Sequence, residues 1–319
     1  MNNSPETIQR GKKFKISSNQ PELVDLINAA LYLRRPLLIT GKPGTGKTSL
    51  AYAVAYELKL GSVIVWPINT RSTLQEGLYS YDAISRLQDT QIEFNKNPKQ
   101  NSNESISKVE IEGSQNKKDN SQNFQDIGRY IQLRALGTAL LPSRRPRVIL
   151  IDEVDKSDIN LPNDLLNIFE EGKYEIPELI CLSKKNKTAE VRTYDGDNAT
   201  ITEGIVRCSQ FTFIVLTSNG ERDFPPAFLR RCLRINIKYP DEAALTEIVK
   251  AHLGPEVLEK AKPLIENFLK KQREGKGDLA TDQLLNAIYL ITRNFNFDEI
   301  DKDKLIELLL KPLTNAEYK

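Results

Sequence analysis

Eight residues constrain this chain more than any others: Gly41-Lys42-Pro43-Gly44-Thr45-Gly46-Lys47-Thr48. They fit G-x-x-x-x-G-K-[ST], the phosphate-binding P-loop. The apolar run Pro36 to Thr40 precedes them and reads as a strand; Ser49 to Ala55 follows and reads as a helix. Without that context the motif would be no more than a glycine turn. Glycines let backbone N–H groups turn inward to cradle phosphate oxygens, and the helix N-terminus adds partial positive charge. Gly41, Lys42, Pro43, Gly44, Thr45, Gly46, Lys47, Thr48 and the adjoining Ser49 are therefore the candidate nucleotide-binding residues. Lys47 would reach the β- and γ-phosphates, and Thr48 Oγ would hold Mg²⁺.

A second constellation closes the run Val148-Ile149-Leu150-Ile151 with Asp152-Glu153. A continuous apolar run suits a central parallel strand buried on both faces. In such sheets ligands sit beyond the carboxyl ends of the strands, where the P-loop also points. Asp152 is the candidate Mg²⁺ residue, and Glu153 the candidate to polarise a water for attack on the γ-phosphate. Taken alone, the pair is equally the acidic first turn of a following helix. A third element, Leu216-Thr217-Ser218-Asn219, ends in a polar residue fit to position that water. Asn219 is its candidate, and an Asn-Gly turn at 219–220 is compatible with the role. Arg230 and Arg231 follow Phe228-Leu229. As residues alone they read as a surface pair making ordinary salt bridges. An arginine finger reaching a neighbouring subunit's γ-phosphate is the alternative.

The 319 residues suffice for two domains. A net charge of +2 is too small to argue for nucleic acid or a membrane surface. Lys184, Lys185, Lys187 and Arg192 form a local basic cluster, read as a solvated hairpin in preference to a DNA site. Cys181, Cys208 and Cys232 have neither zinc spacing nor a secretory framework, and read as buried, reduced thiols. The single histidine, His252, lies in a helical stretch, which argues against histidine-based catalysis. Met1 to Lys15 is polar, no window is long enough to span a membrane, and a cytoplasmic protein is expected.

Apolar spacing predicts helices over 21–33, 74–87, 128–141 and 163–171. Strands are expected at Ser62–Trp66, Arg147–Ile151, Phe211–Thr217 and Leu233–Ile237, with shorter ones at Tyr174–Ile176, Leu179–Leu182 and Ile205–Ser209. Lys184 to Asn198 is polar and turn-rich. Residues 1–19 read as a loose polar lead-in, and Gly61 as a helix C-cap. From Asn95 to Asn123 the chain is rich in Asn, Gln, Ser, Lys and Glu. That stretch cannot bury enough surface to offset its ordering entropy, and reads as a flexible insertion within the domain. Beyond Asp241, a predicted N-cap, the pattern is helical only. The fold class expected is α/β: a three-layer αβα P-loop NTPase domain with a parallel sheet over 1–240, then a small all-α domain over 241–319.

Together these elements resemble an AAA+ ATPase of the MoxR family, in its helix-2-insert clade. The resemblance rests on Gly41–Thr48 as Walker A, Val148–Glu153 as Walker B, the strand ending in Asn219 as sensor 1, and Pro226–Arg234. Ile151–Asp158, Leu161–Leu166 and Phe169–Leu179 sharpen it, and it covers roughly residues 12–300. It implies a homo-oligomeric ring, usually a hexamer, with ATP and Mg²⁺ bound between subunits and the helical region as an AAA+ lid. It carries the trans-acting finger onto Arg231, with Arg230 as runner-up. It places one insert at about 89–127 and a pre-sensor hairpin insert at about 176–207, both of which often line or face the pore in the family. It implies chaperone-like remodelling or activation of a client protein, commonly with a von Willebrand factor A domain partner. Relatives in bacterial conflict systems supply the alternative, an ATP-dependent switch or scaffold in a defence or signalling assembly. No arginine stands convincingly at the family's sensor-2 position: Gly277–Leu285 lies where that helix should begin, and Lys276 is a weak substitute.

Overall fold

The structure, a computed structural model, describes residues 5–14, 20–96, 127–181, 187–274, 278–292 and 299–311. Most of the expected flexible insertion lies outside these residues, as do Lys184, Lys185, Lys276 and Gly277. The strands are β1 (Leu37–Gly41), β2 (Val63–Pro67), β3 (Tyr79–Tyr81), β4 (Ile131–Leu133), β5 (Val148–Asp152), β6 (Lys173–Glu175), β7 (Thr188–Arg192), β8 (Asn198–Thr202), β9 (Ile205–Arg207), β10 (Phe213–Ser218) and β11 (Leu233–Ile237). The chain divides into two compact units, one of residues 1–71, 145–166 and 212–319, the other of 72–144 and 167–211.

The first unit holds a parallel sheet in the order β11-β1-β10-β5-β2. Its central strands β5 and β10 are apolar and buried on both faces, as their unbroken hydrophobic runs require. Leu37, Ile39, Leu150 and Val215 pack on one face against helices Glu22–Leu33 and Lys47–Glu57. The register pairs Thr40 with Ser218, Leu216 with Ile151, and Pro67 with Asp152. The P-loop, Asp152-Glu153 and Asn219 therefore all leave the sheet at the same edge.

Two expectations need correction in this unit. Residues 5–13 form a helix, not a loose lead-in. It crosses helix Lys47–Glu57 at Gly11, where a Cβ would lie 2.5 Å from the Tyr52 carbonyl oxygen. Arg10 stacks over the Tyr52 ring at 4.5 Å. Gly61 is not the cap of helix Lys47–Glu57. The left-handed residue is Lys59 (φ 53°), closed by Leu60 N–H to Ala55 O at 2.9 Å and Lys59 N–H to Tyr56 O at 3.2 Å, a Schellman pattern.

Helices Glu242–Leu253, Leu258–Arg273, Thr281–Thr292 and Glu299–Leu309 gather round a separate core that includes Leu245, Phe268, Leu284 and Ile288. Asp241 caps the first of them, its Oδ1 accepting from Ala244 N–H at 2.8 Å. The expected α/β fold class with a helical part after the sheet is the one observed.

The second unit carries a sheet in the order β3-β4-β7-β8-β9-β6, antiparallel apart from the β4–β7 pair. Here the sequence misleads. The expected helix over 74–87 is helix Leu74–Leu78, then β3, then helix Ala83–Lys96. Tyr79-Ser80-Tyr81 pairs with Ile131–Leu133, and a distant partner of this kind overrides local helical spacing. For the same reason the helix expected over 128–141 becomes β4 and the short helix Ala135–Ala139. The strand expected at Leu179–Leu182 is instead helix Pro177–Ile180, with proline at its first position. The turn-rich stretch before Asn198 contains β7. Of the cysteines only Cys232 is buried, and Cys181 is exposed.

Candidate nucleotide site

Gly44 and Gly46 take left-handed φ values of +73° and +87°, which tilt the P-loop backbone into the N-terminus of helix Lys47–Glu57. Lys47 is buried, and each proton of its ammonium has an acceptor: Gly41 O at 2.7 Å, Lys42 O at 2.9 Å and Asn219 Oδ1 at 2.8 Å. Burial lowers its pKa, and Asp155, Asp152 and Glu153 oppose that shift.

Across the sheet edge Thr48 Oγ1 donates to Asp152 Oδ1 at 3.2 Å. Thr217 Oγ1 donates to the same oxygen and accepts Glu153 N–H at 2.9 Å. One threonine on β10 thus fixes both the metal candidate and the backbone of the water-polarising candidate. The donors here are a hydroxyl and a carboxylate. Such an oxygen-only set suits Mg²⁺, which binds through one or two protein oxygens and fills its octahedron with water and phosphate. Among the described residues no group of three or more His, Cys, Asp or Glu is placed to hold a metal by itself. Glu153 is left-handed (φ 60°, ψ 47°), which costs a non-glycine residue about 1–2 kcal/mol. Strain of this kind gathers where a side chain must be aimed. Its Oε2 lies 2.7 Å from Lys156 Nζ, and that bond raises the lysine's pKa.

These residues open on a cavity of about 520 Å³. Pro43 to Ser49, Asp152, Glu153, Thr217 and Asn219 are among the residues that line it. The apolar side chains of Phe14, Leu23, Ile237, Pro240, Ala244 and Ile248 line it too, with Lys13 and His252. Anion-binding groups and apolar side chains in one cavity suit a nucleotide, which carries phosphates and a base. His252 keeps contact with solvent; its partial burial, and secondarily Lys13, lower its pKa.

Residues 37–240 match the ATPase family associated with various cellular activities (AAA). That is well over half of the chain. The chain belongs to the AAA family. Members bind and hydrolyse ATP, typically with Mg²⁺, and typically assemble into oligomers. Among solved structures, this AAA ATPase is similar to C. elegans PCH-2 at 15% identity and a TM-score of 0.42, over 96% of this chain and 71% of that one. No curated protein matches the sequence.

Of the residues singled out from the sequence, Pro43 to Ser49, Asp152, Glu153 and Asn219 share the cavity. Lys42 belongs to the loop but is exposed, with its Nζ 3.3 Å from Asp278 Oδ2. Arg230 and Arg231 do not line the cavity. Arg231 Nη1 donates to Ala227 O at 3.2 Å, and the Arg230 carbonyl accepts from Arg35 Nη1 at 3.2 Å.

Sequence reasoning missed the contributions of Arg10, Lys13, Phe14 and Gln20 to this AAA ATPase site, and of Thr217, His252, Thr281 and Asp282. Arg10, Lys13 and Phe14 carry no local signal, since only docking of the first helix brings them here. Thr217 had one, as a hydroxyl at the end of a buried strand. Where the family resemblance expects a sensor-2 arginine, helix Thr281–Thr292 lines the cavity with Thr281, Asp282 and Leu285. It meets the P-loop directly: Thr281 N–H points to Gly44 O at 3.4 Å, and a Cβ on Gly44 would lie 2.3 Å from Ala280 Cβ.

Proposed function

We propose that this AAA ATPase is of the MoxR type and hydrolyses ATP at sites shared between the subunits of a homo-oligomeric, hexameric ring, to remodel or activate a partner protein. One observation carries the catalytic part: Lys47, Thr48, Asp152, Glu153 and Asn219 converge on one cavity. Its lining joins these polar groups to apolar side chains, which suits a nucleotide's phosphates and base.

The ammonium of Lys47 already sits among three acceptors, and phosphate oxygens would take over from the carbonyls it now holds. Thr48 and Asp152 would hold Mg²⁺, which neutralises charge on the phosphates when bound. Glu153 accepts the proton of the attacking water, and Asn219 orients that water. Arg231 acts from the next subunit, with Arg230 as the alternative finger, worth on the order of 10³-fold in rate or more where such fingers operate. In this reading residues 1–240 are the nucleotide domain and 241–319 the lid. The partner class is a von Willebrand factor A domain protein. The three cysteines, none of them in a disulfide, suit a reducing compartment, and we place the protein in the cytoplasm.

The test is phosphate release. Wild type should hydrolyse ATP and Lys47→Ala should not. Arg231→Ala should keep ATP binding and lose turnover. Mixing it with Lys47→Ala subunits should restore part of the rate; no restoration would refute the shared site.

A second reading, an ATP-dependent switch or scaffold in a defence or signalling assembly, is favoured by the Lys156–Glu153 pair, which occupies the carboxylate. Slow basal turnover that a partner protein does not raise would select it.

A further inference from the structure

The turn that carries Asn219 has no secondary structure of its own to hold it. It leaves β10 at Ser218 and runs through Gly220, whose φ of +78° is left-handed. Three successive backbone N–H groups are freed there, and side chains take all three. Gly220 N–H goes to Ser218 Oγ at 3.0 Å. The other two go to a single atom: Asp155 Oδ2 accepts Asn219 N–H at 2.9 Å and Glu221 N–H at 3.1 Å.

Asp155 lies in the one-turn helix Val154–Lys156 that follows Glu153. It is 3% exposed, and its other oxygen, Oδ1, is buried with no hydrogen-bond partner. A buried carboxylate is costly unless its bonds repay the desolvation. Here they are made to the backbone on either side of Gly220. We infer that Asp155 is a positioning residue: it clamps the Asn219 turn to the Walker B segment, so that Asn219 Oδ1 is presented to Lys47 and the attacking water.

The arrangement has a mechanical consequence. Asp152, Glu153 and Asp155 follow one another off β5, and Thr217 and Asn219 off β10. Thr217 joins the first pair of segments at the strand ends, and Asp155 joins them again one turn further out. Two ties fix a direction where one would leave a pivot. Asn219 is therefore held from its backbone by Asp155 and from its side chain by Lys47. Asp155 also adds the largest favourable charge acting on the buried Lys47 ammonium.

The role in catalysis rests on the ATPase reading above; the clamp itself does not. Hydrogen–deuterium exchange of the Leu216–Arg222 segment reads the clamp directly. Asp155→Ala should speed exchange of the Asn219 and Glu221 amides by about tenfold or more. Asp155→Asn should leave it near wild type, because one oxygen suffices for both bonds. Asp155→Glu keeps the charge but moves the carboxylate by one methylene, and should open the turn.

Unchanged exchange in Asp155→Ala overturns the clamp. If that variant does not fold, equal opening in the Asn and Glu variants overturns it instead. Steady-state ATPase on the same proteins tests the consequence: kcat should fall on the order of tenfold to a hundredfold in Asp155→Ala, with KM within about threefold. If wild type does not hydrolyse ATP while Asp155→Ala still opens the turn, the ATPase reading fails and the clamp stands.

Discussion

Lys156 Nζ lies 2.7 Å from Glu153 Oε2, so the carboxylate proposed to activate water is held by a cation three residues further along the chain. Both side chains are about two-fifths exposed. An exposed pair of this kind is worth about 0.2–1 kcal/mol. Lys156→Met should free the carboxylate and raise basal phosphate release, by at most about fivefold on that energy. A rate below wild type would show that Lys156 supports Glu153 instead of restraining it.

Gly44 is where the P-loop and the helical region touch. An alanine there would be left-handed and would place its Cβ 2.3 Å from Ala280 Cβ and 2.5 Å from Ala280 Cα. The second atom is backbone, so helix Thr281–Thr292 must shift as a whole. Gly44→Ala should weaken ATP binding by about tenfold or more, equivalent to about 1.4 kcal/mol. Equilibrium titration with a fluorescent ATP analogue measures it. Unchanged affinity would mean that this contact is slack.

Tyr239 OH donates to Asp278 Oδ1 at 3.0 Å, and Asp278 Oδ2 meets Lys42 of the P-loop. Burial, then the bond to Asp278, push the phenol from 10.0 up to about 12. The folded state thus favours the neutral phenol. Its contribution is fully present below about pH 10 and is lost as pH rises towards 12. Tyr239→Phe should cost about 0.5–1.5 kcal/mol near neutral pH. The gap from wild type should close in urea melts as pH rises above about 10. A gap that is constant with pH would place the effect of the substitution elsewhere.

The parallel sheet was legible because β1, β2, β5 and β10 are short apolar runs, and β11 alternates apolar with polar residues. Burial on both faces of β5 and β10 leaves no other pattern available. The candidate site was legible for a related reason, since the P-loop, Asp152-Glu153 and Asn219 each sit at the end of such a strand. What escaped was decided at a distance. Tyr79-Ser80-Tyr81 has helical spacing and becomes a strand because Ile131–Leu133 pairs with it. Residues 5–13 look polar in isolation, yet fold as a helix whose Gly11 fits against Tyr52. Thr217 and Asp155 are ordinary residue types in the sequence. Their importance is that one hydroxyl and one carboxylate oxygen each meet two partners in space.

On the proposed reading this cavity turns ATP over with Glu153 as the water-activating group. Glu153→Gln separates binding from chemistry, and the measurement is ATP affinity and phosphate release on the same preparation. Affinity should stay within about threefold of wild type, and turnover should fall by on the order of 10²-fold or more. Wild-type turnover in this variant would contradict it.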